Sequence, residues 1–222
     1  MVLNIDVVSD FVCPWCFVGK RHLLAALRQF GERNPGVATA TRWLPFFLNP
    51  DTPPEGEPYR PFLERKFGGS DAVDALQADV AAAGKGVGIR FAFDRIELRA
   101  NTLDAHRLIY RAQQPDSGID ASLLSERLFS AHFCEGKHIG SSDVLVRLAV
   151  NAGDREADVR RFIESGEGTR EVVDIAAQIQ QLGIGGVPFF IFNRQVAISG
   201  AQHDGALLEA MEKAIVESGG EA

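Results

Sequence analysis

Near its start the chain reads Cys13-Pro14-Trp15-Cys16, between an apolar run and a helical pattern. Residues 2–8 are short, apolar and rich in β-branched types, which predicts a buried strand. Apolar side chains then recur at helical spacing over residues 17–30, and Pro14 suits the first position of a helix. We therefore expect a strand followed by a helix, with both cysteines at the start of the helix.

The pattern outward from this stretch predicts the framework of an α/β fold. Val37–Phe47 has the alternation of a second strand, so residues 1–47 form a βαβ unit with parallel strands. Near the other end, 187–192 and 195–199 predict a hairpin, and 204–217 a final helix.

Between these parts the sequence has a proline-rich stretch and then a mostly helical pattern. Five prolines in residues 50–61 predict a linker. The pattern from 61 to 182 is mostly helical, with predicted helices at 70–84, 102–113, 120–133, 141–151, 155–164 and 168–182. We expect a βαβ…ββα domain made of residues 1–60 and 183–222, with an all-helical insertion domain over 61–182.

The placement of the two cysteines indicates redox chemistry. A thiolate, and not a thiol, attacks a disulfide, and the positive end of a helix dipole favours the anion. Cys13 precedes the helix and is expected to be the more exposed thiol, while Cys16 follows within one turn, close enough to form a disulfide. Pro14 would stiffen that turn, and Trp15 would give an apolar surface beside the sulfur. The charge of Asp10 would oppose the thiolate if it points at the site.

The two cysteines are also compatible with roles outside redox chemistry. A C-x₂-C pair is half of a zinc site, for which only Cys134, His132 and His138 could supply further ligands. Two buried structural thiols are a second possibility. Pro188 is compatible with an ordinary strand start and with a cis proline facing the cysteines.

Five segments together resemble the DsbA family of thioredoxin-like oxidoreductases, in particular its FrnE-like branch. That branch is related to 2-hydroxychromene-2-carboxylate isomerases and kappa-class glutathione transferases. The segments occur in the family's order and span nearly the whole chain: 9–20, 45–50, 101–108, 186–190 and 199–202.

The resemblance implies a thioredoxin-like fold with a helical insertion. It implies that Cys13 is the nucleophile, Cys16 the resolving cysteine and Pro188 a cis proline. In glutathione-using relatives, an asparagine near the position of Asn49 and the backbone at Val187 help hold the tripeptide. Pro14, Trp15, Val187, Pro188 and Asn49 are therefore the expected substrate-binding residues; no metal site and no resident cofactor are predicted, and glutathione is the candidate co-substrate.

One position separates this chain from the glutathione-dependent relatives. The isomerases and transferases typically have serine where Cys13 stands, which favours dithiol chemistry. The predicted function is a thiol–disulfide oxidoreductase whose partners are disulfide- or dithiol-containing proteins or small thiols. The alternatives are a glutathione-dependent isomerase or transferase, and a non-enzymatic metal-binding or chaperone-like module.

The overall composition restricts partners and location. The 222 residues carry a formal net charge of −7, which argues against nucleic acid and anionic membranes as general partners. The start of the chain lacks a signal-peptide pattern, and no uncharged apolar run reaches the length of about 18 residues that spans a membrane. Three cysteines do not make a disulfide scaffold. We therefore expect a cytoplasmic protein.

The remaining polar candidates are predicted to have structural roles. Asn101 and Thr102 are predicted to cap a helix, and His106 to be packed between helices. Cys134 is predicted to be a small buried hydrophobic residue. Four basic residues are predicted to lie on solvated faces: Lys20, Arg21, Arg99 and Arg107.

Overall fold

The computed structural model describes residues 1–219 and has an α/β fold, as predicted. Its main sheet contains the strands β1 (Val2–Ser9), β2 (Ala38–Pro45), β5 (Phe189–Phe192) and β6 (Val196–Ser199), and a separate two-stranded ladder contains β3 (Glu57–Pro58) and β4 (Leu98–Arg99). The helices are α1 (Pro14–Arg33), α2 (Tyr59–Phe67), α3 (Ser70–Gly86), α4 (Leu103–Ala112), α5 (Ala121–Phe133), α6 (Ser142–Val150), α7 (Glu156–Ser165), α8 (Thr169–Gln181) and α9 (Asp204–Gly219). Phe93–Arg95 form a short 3₁₀ turn.

The main sheet has the order β2-β1-β5-β6. Strands β1 and β2 are parallel and are joined by α1, while β5 is antiparallel to both β1 and β6. Asp6 on β1 is opposite Arg42 on β2, and the carboxylate accepts two hydrogen bonds from the guanidinium at 2.8 and 3.0 Å. The predicted βαβ…ββα framework is therefore present.

The side chains of β1 point alternately to the two faces of the sheet, and each face is covered by an apolar cluster. Leu3, Ile5 and Val7 belong to the main core, which includes residues of α1 and α9. Val8 faces the other way and packs with Ile179 of α8 in a smaller cluster. Apolar clusters therefore cover both faces of the sheet at β1.

The main core continues from the sheet into the inserted helices. Buried Phe129 and Phe133 of α5 belong to the same cluster as Phe17 of α1, and the rings of Phe17 and Phe129 stack at 5.2 Å. Helix α8, although inside the predicted insertion, packs against β2. The domain boundaries at 60/61 and 182/183 stay predictions, since packing is continuous across them.

Two elements differ from the sequence-based expectation. The proline-rich stretch 50–61 is not only a linker, because it contains β3 and the first residues of α2. Strand β3 pairs Glu57 with Arg99 of β4, a partner 42 residues away. Two residues carry no periodicity, and a proline at the first turn of α2 is compatible with a helix, so the pattern could not show either element.

Within residues 1–219, every helix is too short or too polar to span a lipid bilayer.

Candidate functional site

The loop from β1 to α1 places Cys13 at the N-cap position of α1. Its backbone is extended, and its amide donates to the carbonyl of Asp10 at 3.0 Å. Pro14 occupies the first turn, where no intrahelical partner exists for a backbone N–H. The Cys16 amide donates to Cys13 Sγ at 3.3 Å, so the Cys13 side chain accepts the hydrogen bond that a capping side chain accepts at a helix start. The sulfur of Cys13 therefore faces the free amides of the helix start.

Across the site, the backbone before Pro188 approaches Cys13. The Val187–Pro188 peptide bond is cis. The Cys13 thiol donates to the Val187 carbonyl oxygen at 3.7 Å, and the Gly200 amide donates to the carbonyl of Pro188 at 2.8 Å. The fold thus brings together four of the residues named from the sequence: Cys13, Cys16, Val187 and Pro188.

The two thiols are free and have different surroundings. Burial raises the pKa of Cys16 well above its usual value, and the hydrogen bond and charge of Cys13 raise it further. The backbone of Asp10 and the side chain of Ser9 oppose this shift. Cys16 is therefore held as a thiol. The expected difference in exposure is small, since Cys13 is 4% exposed and Cys16 2%.

A cavity of about 350 Å³ opens beside Cys13, between the cysteine turn and helices α2 and α3. Trp15 and Asn49, two of the residues predicted to bind substrate, line it. Three apolar side chains that are among the most exposed in the described chain lie together on its wall: Trp15, Phe67 and Leu76. Lys66 adds a cation, and its amine donates to Asn49 Oδ1 at 3.0 Å. A larger cavity, between α8 and β2, contains neither cysteine.

The residues from α2 and α3 in this cavity could not be identified from the sequence. Lys66, Phe67 and Leu76 belong to no motif. Their only signal is the unusual exposure of Phe67 and Leu76, and this becomes visible once α2 and α3 are placed opposite Cys13.

Asp10 is buried, and its carboxylate lies beside Leu48 and His106. Oδ2 accepts from the Leu48 amide at 2.9 Å, and Oδ1 lies 3.5 Å from Nε2 of His106 on α4. His106 also contacts the rings of Phe11 and Phe47, so the prediction of a packed histidine describes it well. Asp10 fixes the segment that leads to Asn49.

Three of the four basic residues expected on solvated faces are buried instead. Lys20 pairs with Glu126 at 2.8 Å, and burial lowers the pKa of its amine while Glu126 opposes that shift. Arg99 pairs with Glu57 and stacks on a phenylalanine ring. Arg107 donates to three backbone carbonyls at the end of α7 and just beyond it. The sequence predicts solvated faces for these residues, because long-range partners for a charge leave no local pattern.

The predictions for the helix-capping residues Asn101 and Thr102 and for Cys134 agree only in part with the structure. Asn101 Oδ1 accepts from the Leu103 amide at 2.9 Å, whereas the side chain of Thr102 makes no cap hydrogen bond. Cys134 ends α5 and is half-buried, and burial raises the pKa of its thiol. In the described part of the chain, Cys13 and Cys16 belong to no group of three or more side chains that could hold one metal ion.

Known proteins match this chain over nearly its whole length. An uncharacterized protein of Bacillus subtilis (strain 168), YwbO, is 27% identical over 220 residues, covering 97% of this chain and 96% of that protein. The crystal structure of a probable DsbA oxidoreductase from Streptomyces coelicolor, SCO1869, has a TM-score of 0.85 at 28% identity and covers 97% and 91% of the two chains.

Two more distant structures share the fold alone. A 2-hydroxychromene-2-carboxylate isomerase has a TM-score of 0.71 at 15% identity, with 99% of each chain covered. The cytosolic disulfide reductase DsbM from Pseudomonas aeruginosa, solved with GSH, has a TM-score of 0.62 at 18% identity, with 99% and 100% covered. The family model described as a DSBA-like thioredoxin domain matches residues 4–212, and this chain therefore belongs to the DsbA-like thioredoxin domain family.

Proposed function

We propose that this protein is a thiol–disulfide oxidoreductase in which Cys13 is the nucleophile and Cys16 the resolving thiol. The observation that carries the proposal is the position of Cys13 at the N-cap of α1, where its sulfur accepts from the Cys16 amide at 3.3 Å. A helix start favours an anion there, and the second thiol lies within the same turn. Membership of the family supports the same chemistry.

The proposed reaction has two exchange steps. The Cys13 thiolate attacks one sulfur of a substrate disulfide, which forms a mixed disulfide and releases the other sulfur as a thiolate that takes up a proton. Cys16 then loses its proton, attacks Cys13 Sγ and releases the second substrate thiol. The substrate gains two electrons and the protein keeps a Cys13–Cys16 disulfide; the reverse sequence oxidises a dithiol.

The cavity supplies the proposed substrate contacts. Trp15 and Pro14 lie beside the nucleophile, and Val187, which precedes the cis Pro188, borders the same space. Asn49, held by Lys66, offers polar groups for a small thiol such as glutathione, which we include as a co-substrate. Disulfide-containing proteins with an apolar residue near the cysteine would contact Trp15 and Phe67.

A cytoplasmic location is part of this proposal. Its support is the small number of cysteines, since cysteine pairs in reducing compartments serve catalysis more often than structure. Fractionation of cells that express the full chain tests it, with a known cytoplasmic protein as the marker.

Equilibration with glutathione redox buffers tests the central claim, with Trp15 fluorescence as the readout. We expect one reversible two-electron transition in the wild type and none in Cys13→Ser. We expect Cys16→Ser to accumulate a mixed disulfide that is visible by mass spectrometry. A Cys13→Ser protein that reduces or oxidises substrates at the wild-type rate would refute the proposal.

A glutathione-dependent isomerase or transferase is the second candidate, and the cavity with Asn49 and Lys66 beside Cys13 is the observation that favours it. In such an enzyme Cys13 would only stabilise the bound glutathione thiolate. Conjugation or isomerisation that survives Cys13→Ser, with no two-electron transition in the wild type, would favour this candidate.

A further inference from the structure

Three potential metal ligands meet where α1 packs against the start of α9. Ligand atoms of His22, His203 and Asp204 all lie within 4.8 Å of one another. Asp204 Oδ1 is the common neighbour, at 2.6 Å from Nδ1 of His203 and 3.9 Å from Nδ1 of His22. The two imidazole rings are 5.2 Å apart at 44°.

We propose that His22, His203 and Asp204 form a binding site for a divalent metal ion of the zinc class. Two imidazole nitrogens and a carboxylate oxygen are the ligand types that zinc and its neighbours in the first transition series prefer, whereas calcium and magnesium take oxygen ligands. Three protein ligands leave the fourth position of a tetrahedral ion to water.

The spacing requires only a small adjustment. Bonds of about 2.0–2.2 Å at tetrahedral angles separate two ligand atoms by roughly 3.4 Å. The two distances from Asp204 Oδ1 lie on either side of that value. His203 can make the adjustment because its side chain is 79% exposed and precedes α9, whereas His22 and Asp204 are largely buried and fixed in position.

A neighbouring amide already orients the carboxylate. The side-chain nitrogen of Gln29, two turns after His22 on α1, donates to Asp204 Oδ2 at 2.7 Å. Such partners of metal-binding carboxylates fix their orientation and raise metal affinity. The contact leaves Oδ1 directed to the two histidines, as a monodentate ligand requires.

The site is separate from the cysteine turn but is connected to the same loop. His22 lies six residues after Cys16, about 9 Å along the helix axis. His203 follows Gly200, whose amide holds the Pro188 carbonyl, and Ala201, whose Cα lies 3.5 Å from the place of a Cβ on Gly19. A bound ion would therefore fasten the connection between β6 and α9 to α1.

Zinc titration by calorimetry tests the site in the full chain carrying Cys13→Ser and Cys16→Ser, so that neither thiolate of the pair can bind the metal. We expect one zinc ion per chain. At a free zinc concentration of about 100 times Kd, the Tm should rise by roughly 5–10 °C. Cobalt should give visible d–d absorption without a thiolate charge-transfer band.

Matched variants separate this site from general metal binding. His203→Ala should weaken zinc binding at least ~10-fold, and Gln29→Ala should weaken it by about the same factor. Gln202→Ala, which changes the exposed neighbour of His203, should bind zinc as before. Magnesium should leave the Tm unchanged.

Two results would overturn the proposal: no zinc binding by the protein without Cys13 and Cys16, or equal affinity in His203→Ala. If the double serine variant does not fold, the same Tm comparison in the wild-type background decides, because His203 is exposed and its loss leaves packing intact. A zinc-dependent rise of Tm that is as large in His203→Ala as in the wild type would there reject the site.

Discussion

Cys13 and Cys16 lie in one helical turn, yet their sulfur atoms have different neighbours. Cys13 Sγ contacts the Val187 carbonyl and the amide of Cys16 and borders the cavity. Cys16 is enclosed by the core, and burial raises the pKa of its thiol. These neighbours support the proposed division of roles, in which Cys13 reacts with substrate and Cys16 acts after a mixed disulfide has formed.

This difference predicts the order of alkylation. At pH 8, Cys13 in Cys16→Ser should react with iodoacetamide at least ~10-fold faster than Cys16 in Cys13→Ser, because the raised pKa of Cys16 leaves little of it as thiolate. The rate for Cys16 should still be rising above pH 9, the range in which a thiol with a raised pKa ionises. Rates come from mass spectrometry of quenched samples, with Cys134 as the internal reference. Equal rates for the two single-cysteine variants would contradict the assignment of roles.

At the scale of elements, helix α1 contains two glycines, Gly19 and Gly31. Close packing requires a glycine at the first position but not at the second. A Cβ on Gly19 would lie 3.0 Å from Cγ of Pro188 and 3.2 Å from Cζ of Phe190. Among the described residues, no atom lies within 4 Å of the corresponding position on Gly31, in the last turn of the same helix. Gly19 therefore permits α1 to pack closely against β5 and against the residue that follows Val187.

The two glycines form a matched pair for alanine substitution. We expect Gly19→Ala to lower the free energy of unfolding by about 1–3 kcal/mol through overpacking against a fully buried ring. We expect Gly31→Ala to raise it by about 0.5–1 kcal/mol, because alanine favours the helix and has room for its methyl group. Urea denaturation of both variants gives the comparison, and a stabilising Gly19→Ala would show that Pro188 and Phe190 can move aside.

The elements that could be predicted from sequence are those with a local pattern. The framework strands and α1 show clear periodicity, and the cysteine turn was identified because Cys-Pro-Trp-Cys combines a cap, a helix-starting proline and two thiols. Strand β3 and helix α2 were missed, since a two-residue ladder and a short helix carry almost no periodicity. Lys66 depends on α2 for its place in the cavity, so the cavity could not be predicted either.

The burial of charged side chains could not be predicted from the sequence for a related reason. Arg107 looked like a solvated residue of α4, but its guanidinium donates to carbonyls 55, 56 and 60 residues away. Those acceptors are backbone atoms, which every residue possesses, so no residue type marks them in the sequence. The Asp204 and His22 pair is similar, because its members are 182 positions apart and neither belongs to a motif.

At the scale of the whole molecule, the helical region contains a fully buried histidine. His132 on α5 packs against Phe133 and Tyr59, and neither ring nitrogen makes a hydrogen bond within residues 1–219. Burial lowers its pKa to about 4; the backbone of Lys137 and the charge of Asp10 oppose the shift, and His138 adds to it. The folded protein therefore holds His132 neutral where an unfolded chain would bind a proton.

This predicts a loss of stability in mild acid. An unfolded histidine titrates near 6.5, so the contribution of His132 is complete above that pH and falls as pH drops from about 6.5 to about 4. The free energy of unfolding should fall by about 3 kcal/mol over that range from this residue. Urea denaturation at several pH values measures it, and His132→Gln should flatten the pH dependence. A variant with the wild-type slope would exclude His132 as the cause.

The Val187 carbonyl that faces Cys13 lies 174 positions later in the chain. During synthesis on a ribosome, α1 and its two thiols therefore emerge long before β5, which pairs with β1 and contributes Phe190 and Phe192 to the core. A nascent chain exposes both cysteines without the backbone that completes their site. A polypeptide terminated before residue 187 would retain the entire Cys-Pro-Trp-Cys sequence and lack the Val187 carbonyl and strand β5 that lie beside it, so the motif alone does not indicate a complete site.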